Sequence, residues 1–323
     1  MGTYKQLTYE QRCQIEALKK SGISQQAIAT IICVSQSSVS RELSRNTGLR
    51  GYRHGQAHRT SIERRQATAK PYKMTAGLID EINDKLYLKW SPEQISGWLL
   101  VEQEICISHE IIYRHVWADK AAGGDLYKHL RRSARKYKVR GSNGKTRSGQ
   151  IKNRVSIDDR PIAVDEKSRV GDWEIDTVIG KGHSGALVTI VERVTLFTVS
   201  MRVKSKRAKE VTAATIALLT PFKGLVHTIT SDNGKEFAYH EQIAAGLDCD
   251  FYFAHPYHSW ERGLNENTNG LLRQYFPKST DFKTVRAAAV KQSVDRLNNR
   301  PRKTLAFKTP AVLMQKEMAA LAA

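Results

Sequence analysis

The feature that narrows the fold most is an alternation in the second half of the chain, where β-branched runs give way in turn to helical periodicity. Residues 173–179, 187–194 and 196–203 are rich in Val, Ile and Thr and follow one another at hairpin spacing. A helical pattern over about 207–219 comes next, and then an apolar run at 226–230 that stops at Ser231-Asp232-Asn233-Gly234. A helix of about 236–245, a short strand at 251–253, a helix from near Trp260 and an amphipathic tail over 282–298 complete the order. Three strands, a helix, a strand, a helix, a strand and a helix predict a mixed α/β domain built on a five-stranded sheet.

The first part of the chain reads differently. Residues 8–45 carry three short helical patterns, with Ile15 and Leu18, then Ala27, Ile28 and Ile31, then Val39 and Leu43 facing inward. Ser24 and Ser35 stand as N-caps of the second and third. Short helices joined by tight turns fit a helix-turn-helix, and Cys33 occupies the turn position where Gly is commonest. Gln36, Ser37, Ser40 and Arg41 fall on the outer face of the third helix, where Gln and Arg can read base edges. A plain three-helix bundle with a solvated polar face would share the pattern. The basic residues Arg50, Arg53, Arg59, Arg64 and Arg65 favour DNA, because they supply phosphate contacts. Residues 71–118 suggest a second small helical unit, with Ser91-Pro92-Glu93-Gln94 as a helix start and Ser108 capping another helix.

Charge divides the 323 residues into blocks. The chain carries +20 overall, distributed as +8 over 1–70, −4 over 71–125, +10 over 126–160 and +6 over 161–323. An evenly basic ribosomal or histone-like protein is excluded by the acidic block. The expected organisation is a DNA-binding domain at 1–70, a second helical domain at 71–125, a basic linker at 126–160 and the α/β domain at 161–323 with its helical tail. The acidic charge of the second unit leaves DNA and protein contact equally open. Eleven Lys and Arg without an acid between Lys128 and Arg154, Arg131, Arg132, Arg135 and Lys136 among them, suit a linker that tracks phosphates. The four cysteines lack zinc spacing, no apolar run is long enough to span a bilayer and the N-terminal residues do not resemble a signal peptide. The expectation is a cytoplasmic, nucleoid-associated protein without a membrane partner.

Three acids stand out: Asp176 in the first strand, Asp232 at the tip of the fourth and Glu266 on the helix after the fifth. Asp-Asn-Gly alone is ordinary turn vocabulary. Three converging carboxylates repel, at roughly 4 kcal/mol for two unit charges 4 Å apart at an effective dielectric of 20, and protonation or a divalent ion relieves this. Hard oxygen ligands select Mg²⁺ or Mn²⁺, and a pair of such ions suits in-line phosphoryl transfer. Glu261 points about 140° away from Glu266 on a helix and reads as a helix-start or surface acid. Glu174, on the same strand face as Asp176, reads as structural. Arg273 shares the face of Glu266 and suits either a substrate phosphate or a surface salt bridge. His255 and His258 flank Pro256-Tyr257 and stay outside the catalytic set.

The motifs Trp173-Glu174-Ile175-Asp176, Ser231-Asp232-Asn233-Gly234-Lys235-Glu236-Phe237 and His255-Pro256-Tyr257-His258-Ser259-Trp260-Glu261-Arg262-Gly263-Leu264-Asn265-Glu266 resemble the DDE transposases of the bacterial insertion-sequence-thirty family. The 33 residues between Asp232 and Glu266 match that family's spacing. The pattern Gly263-x-x-Glu266-x-x-Asn269 is also similar to retroviral integrases, and the resemblance runs from the helix-turn-helix to Asn299-Arg300-Pro301-Arg302. It implies an α/β ribonuclease H-like catalytic core preceded by all-α helix-turn-helix modules. Asp176, Asp232 and Glu266 would be both catalytic residues and ligands of two Mg²⁺ or Mn²⁺ ions. The implied partners are double-stranded DNA, at transposon ends and target, and further copies of the chain in a dimer or larger synaptic complex. A DNA-binding regulator with a relic core is the alternative, against which the presence of all three acids stands. A nuclease of RNA–DNA hybrids is disfavoured, since helix-turn-helix modules read B-form major grooves.

Overall fold

Strand β3 (Asp172–Ile179) is the axis of the larger part of the molecule, because partners flank it on both sides and helices cover both faces. A computed structural model describes residues 6–67, 74–131, 151–256 and 258–322. Contacts divide the chain into two units, Met1–Thr75 and Ala76–Ala323.

In the first unit, α1 (Tyr9–Lys20) starts with a capping box in which Thr8 and Gln11 exchange hydrogen bonds. Helices α2 (Gln25–Ile31) and α3 (Gln36–Asn46) are capped by Ser24 and Ser35, as their sequence predicts. Cys33 adopts φ +55° in the turn between them, the left-handed conformation that explains why Gly is common there. A two-residue hairpin, β1 (Thr47–Gly48) with β2 (Gly51–Tyr52), leads into a fourth helix, α4 (His54–Ala67), which packs on α1 and α3. The core gathers Ile15, Ile28, Val39, Leu43, Tyr52 and Ala57. Inside it lies an ion pair, Arg12 Nε on Glu42 Oε1 at 2.7 Å, with the Tyr52 hydroxyl donating to the same oxygen at 3.1 Å.

The second unit begins with α5 (Ala76–Tyr87), α6 (Pro92–Gln103) and α7 (His109–Ala121). Ser91 and Gln94 form the expected capping box of α6, while the Ser108 side chain makes no cap bond. These helices share hydrogen bonds with the α/β segment: Lys89 Nζ donates to Gln274 O at 2.7 Å and Lys303 Nζ pairs with Glu93 at 2.7 Å. Gly97 faces the ring of Phe307 so closely that any Cβ would collide with it.

After a short helix, α8 (Ile162–Glu166), come β3, β4 (Ala186–Glu192), β5 (Thr198–Val203), α9 (Ala208–Leu219), β6 (Thr228–Ser231), α10 (His240–Leu247), β7 (Asp250–Phe253), α11 (Gly263–Leu272), α12 (Ala287–Asn298) and α13 (Pro310–Ala322). The sheet order is β5-β4-β3-β6-β7, with β4 antiparallel to β3 and β5, and with β3, β6 and β7 mutually parallel. This is the mixed five-stranded ribonuclease H-like sheet. One face, with Trp173, Ile175, Val188 and Ile190, packs against α9 and α10 through Val211, Ala214, Ile243 and Leu247. The other, with Val178 and Leu187, packs against α11 and α12 through Leu271, Leu272, Val290, Val294 and Leu297. Asp176 belongs to this second face, since alternate residues share a side of the pleat.

Candidate active site

The parallel register brings two of the three acids together. The last β3–β6 pair is Glu174 with Thr230, and Asp176 and Asp232 each lie two residues further on. Adjacent parallel strands thus deliver the two carboxylates side by side just beyond their last shared pair, Asp176 within β3 and Asp232 past the end of β6. Asp176 is held rigidly, because its backbone still pairs with Thr189 of β4. Its Oδ1 accepts from the Thr177 amide at 2.8 Å and its Oδ2 from Asn269 Nδ2 at 2.8 Å. Asn269 is oriented in turn by Thr189 Oγ1, which donates to its Oδ1 at 3.0 Å. Asp232 closes the turn at the end of β6, its Oδ1 accepting from the Gly234 amide at 2.9 Å. A Cβ at position 234 would press on the carboxylates of Asp232 and Glu236, so any residue but glycine there displaces them.

Arg262 lies between the two acids. Its Nη2 donates to Asp232 Oδ2 at 3.2 Å, its Nη1 stands 3.8 Å from Asp176 Oδ1, and Nη1 also donates to Ile175 O at 3.3 Å. Burial pushes the Asp176 carboxyl up to about 6; Arg262 opposes that rise, while the charges of Asp232 and Glu236 add to it. Glu236 is tied to the cluster through Thr177 Oγ1, which donates to its Oε1 at 3.0 Å.

Glu266 sits on α11, exposed, four residues after Arg262 and three before Asn269. Arg262 ends the 3-10 turn before α11, whereas Asn269 shares the helix and falls about 60° from Glu266 at 100° per residue. Asn269 touches Asp176, but among the described residues the carboxylate oxygens of Asp176, Asp232 and Glu266 do not all lie within 4.8 Å of one another. Glu174 is occupied otherwise: it is buried, pairs with Arg193 Nη1 at 2.5 Å and accepts from the Asn265 amide at 3.2 Å, which anchors α11 to β3. Glu261 accepts from the His255 amide at 2.8 Å and from His255 Nδ1 at 2.9 Å, in the loop before α11.

The residues read as DNA contacts are spread over both units. Gln36, Ser37 and Arg41 are exposed on α3 and Ser40 is half-buried, with Arg41 Nε donating to Ser37 O at 3.0 Å. Arg50 and Arg53 are exposed and line an open cavity of 570 Å³ together with Arg59 and Gln56. Arg64 donates to Arg45 O at 3.1 Å and Asn46 Oδ1 at 2.8 Å, at the C-terminal end of α3, while Arg65 bonds Gln6. Arg131 bonds Asn267 Oδ1 through both terminal nitrogens at 3.2 Å, one residue from Glu266. Arg273 donates to the carbonyls of Ile179 at 3.1 Å and of Phe276 and Pro277, bracing the end of β3. Arg132, Arg135 and Lys136 lie outside the described residues.

Sequence reasoning passed over Arg262, Glu236 and Thr177, and gave Asn269 no role beyond its motif. Arg262 was hidden because the 3-10 turn before α11, and not helical spacing, brings it to the acids. Glu236 was hidden too, because only the turn at Gly234 brings it back to β3. Lys206, Arg207 and Lys235 likewise line a cavity of 470 Å³ beside Asn233 and Gly234 that no spacing announces.

A family model described as a helix-turn-helix domain matches residues 3–46. Over 308 residues the chain is 46% identical to the transposase for insertion sequence element IS4351 of Bacteroides fragilis, covering 95% of this chain and 94% of that protein. It is 36% identical over 327 residues to transposase InsI for insertion sequence element IS30A of Escherichia coli (strain K12), covering 97% of this chain and 84% of that protein. Among solved structures, the catalytic core domain of BIV integrase aligns at a TM-score of 0.40 and 18% identity, covering 48% of this chain and all of that one.

Proposed function

The chain belongs to the IS30 family of insertion-sequence transposases, and from that premise we propose that it cleaves DNA at insertion-sequence ends and joins the freed 3′-hydroxyl to target DNA, with Asp176, Asp232 and Glu266 as the catalytic acids. The observation that carries this reading is the placing of Asp176, within β3, beside Asp232, just past the end of the adjacent parallel strand β6, with Arg262 between them.

The donor set suits Mg²⁺ or Mn²⁺. The oxygens are hard, and the guanidinium of Arg262 already stands where a cation balances the two carboxylates. Asp176, Asp232 and Glu266 would hold two such ions, which when bound stabilise the charge that develops on the attacking and leaving oxygens. The rest of the chemistry falls to the chain. The β3–β4 pairing at Asp176, the turn at Asp232 and the Thr189–Asn269–Asp176 chain hold the carboxylates in register, so little reorganisation accompanies reaction. Arg131, Lys206, Arg207 and Lys235 flank the acids and offer charge to the phosphates on either side of the scissile bond. The helix-turn-helix presents Gln36, Ser37, Ser40 and Arg41 to the major groove and Arg50 and Arg53 to the backbone, while Arg64 and Arg65, held by Asn46, the Arg45 carbonyl and Gln6, brace α4. Arg132, Arg135 and Lys136 would extend that backbone contact, and Arg273 supports the site by bracing β3.

The test is cleavage of a labelled insertion-end duplex in Mg²⁺ by wild type and Asp232→Asn. Loss of cleavage by several orders of magnitude with end binding retained is the expected result. Equal cleavage by both proteins sinks the assignment. Joining two ends requires that both be held at once, so the working form is a dimer or larger assembly. Crosslinking on paired ends that yields monomers alone would refute this.

A further inference from the structure

The loop between β7 and α11 carries a second cluster with metal-ligand chemistry, distinct from the three acids. His255, His258 and Glu261 follow one another at intervals of three, and their ligand atoms lie within 4.8 Å of one another. His255 Nδ1 is 2.9 Å from Glu261 Oε1, and His258 Nδ1 is 3.9 Å from the same oxygen. Ligands of a tetrahedral site with bonds of 2.0–2.1 Å stand about 3.3 Å apart, a value these two distances bracket. His258 Nδ1 is buried and has no hydrogen-bond partner among the described residues. A nitrogen in that position loses its water without compensation unless something else binds it.

The outer contacts fit the same reading. His255 Nε2 meets Asp158 Oδ2 at 2.9 Å, so Nδ1 is the nitrogen left to face the cluster. A carboxylate on the far nitrogen of an imidazole fixes its tautomer and raises its basicity, which is how ligating histidines are commonly supported. Glu261 Oε2 accepts from the His255 amide at 2.8 Å, which turns Oε1 inward. Two carboxylates, Glu261 and Asp158, balance a divalent charge. The nearby guanidiniums have partners of their own, Arg160 on Asp165 and Thr230, Arg193 on Glu174.

We propose that His255, His258 and Glu261 bind one borderline-soft divalent ion of the Zn²⁺ class, with Asp158 supporting His255 and a water in the fourth position. The bound ion replaces the proton shared by His255 Nδ1 and Glu261 Oε1 and draws in His258. It pins the loop that leads directly into Arg262 and Glu266. Two imidazoles and one carboxylate separate it chemically from the all-oxygen acid cluster, which prefers Mg²⁺.

The test uses full-length protein stripped with chelator, returned to millimolar Mg²⁺ to saturate the acid cluster, and titrated with Co²⁺. The expected result is a single equivalent with visible d–d bands, no thiolate charge-transfer band, and displacement by Zn²⁺. Those bands disappear in His258→Ala and in Glu261→Gln and persist in Asp232→Asn. Asp158→Asn weakens the affinity about 10- to 100-fold. Circular dichroism on each variant distinguishes lost ligands from lost fold. Absence of the bands, their persistence in His258→Ala, or a thiolate band overturns the proposal. So does loss in Asp232→Asn with retention in His258→Ala, which would put the ion in the acid cluster.

Discussion

Arg262 has two roles that pull in opposite directions, and separating them is informative. As the counter-ion of Asp232 and Asp176 it competes with a divalent cation for the same oxygens. As a mobile cation beside the reacting phosphate it would stabilise developing charge. Arg262→Ala is therefore expected to bind Mn²⁺ about tenfold more tightly, equivalent to about 1.4 kcal/mol, while cleaving end DNA about 10²- to 10³-fold more slowly. Calorimetric Mn²⁺ titration and single-turnover cleavage read the two effects separately; a variant that loses both would show the arginine to be merely structural. Asp176 supplies a pH signature. Burial raises its carboxyl from an ordinary 3.8 to about 6, so between those values the folded metal-free protein holds a proton that the unfolded chain has released. Its contribution to stability is full below that window, falls as pH rises through it and is flat above. Metal needs the ionised form, so Mn²⁺ affinity should decline as pH drops through about 6. In Asp176→Asn both the residual affinity and the thermal midpoint should lose that inflection, and an unchanged inflection would assign it to another group.

At the scale of elements, what was legible in the chain was whatever repeats. The runs at 173–179 and 251–253 became β3 and β7 almost without change, since both are buried on two sides and carry no turn residues. The serine-capped helices α2, α3 and α6 start where their caps stand. The helix expected at 236–245 begins only at His240, because Gly234 and Glu236 are drawn into the turn that Asp232 closes. The helix expected from Trp260 begins at Gly263, after a 3-10 turn that carries Arg262 to the acids. The tail helix begins at Ala287, since Phe282 is buried against Gly185 and Phe276 ahead of it. Helix α4 left no periodic trace in the sequence: its buried Ala57 is small, and most of its remaining positions are polar. What holds the helix-turn-helix beneath α4 is partly polar, the buried Arg12–Glu42–Tyr52 cluster, which no periodicity reveals. Removing one partner leaves an uncompensated buried charge, so Arg12→Met should cost the first unit about 3–5 kcal/mol. Glu42→Gln, which leaves Arg12 without its counter-charge, should also destabilise, whereas the double replacement by apolar residues should recover much of the loss. A thermal transition of the first unit that is unmoved by either single change would show that the cluster is not buried in solution.

At the scale of the whole chain, the three acids were assigned by family spacing while their geometry was not foreseeable, and the same division holds for charge. The block pattern of +8, −4, +10 and +6 assigns phosphate binding to segments but says nothing of which arginines remain available. In the structure Arg64 and Arg65 are engaged with Asn46, the Arg45 carbonyl and Gln6, so they lock α4 onto its neighbours, whereas Arg50 and Arg53 lie exposed around an open cavity. A residue that neutralises a phosphate releases counterions, and each such contact contributes about −0.9 to the slope of log affinity against log salt. Arg50→Ala and Arg53→Ala in the full chain should each flatten that slope by about 0.9 and weaken binding to every sequence alike. Arg41→Ala should leave the slope nearly unchanged while reducing the preference for the end sequence by about 1–3 kcal/mol, since a base contact carries discrimination without releasing as many ions. Arg64→Ala should resemble neither, lowering the thermal midpoint of the first unit before it alters the slope. Salt titrations on an end duplex and a scrambled duplex separate these outcomes. An Arg41→Ala variant that flattens the slope and keeps its sequence preference would move α3 out of the major groove and leave the reading of the ends to another element.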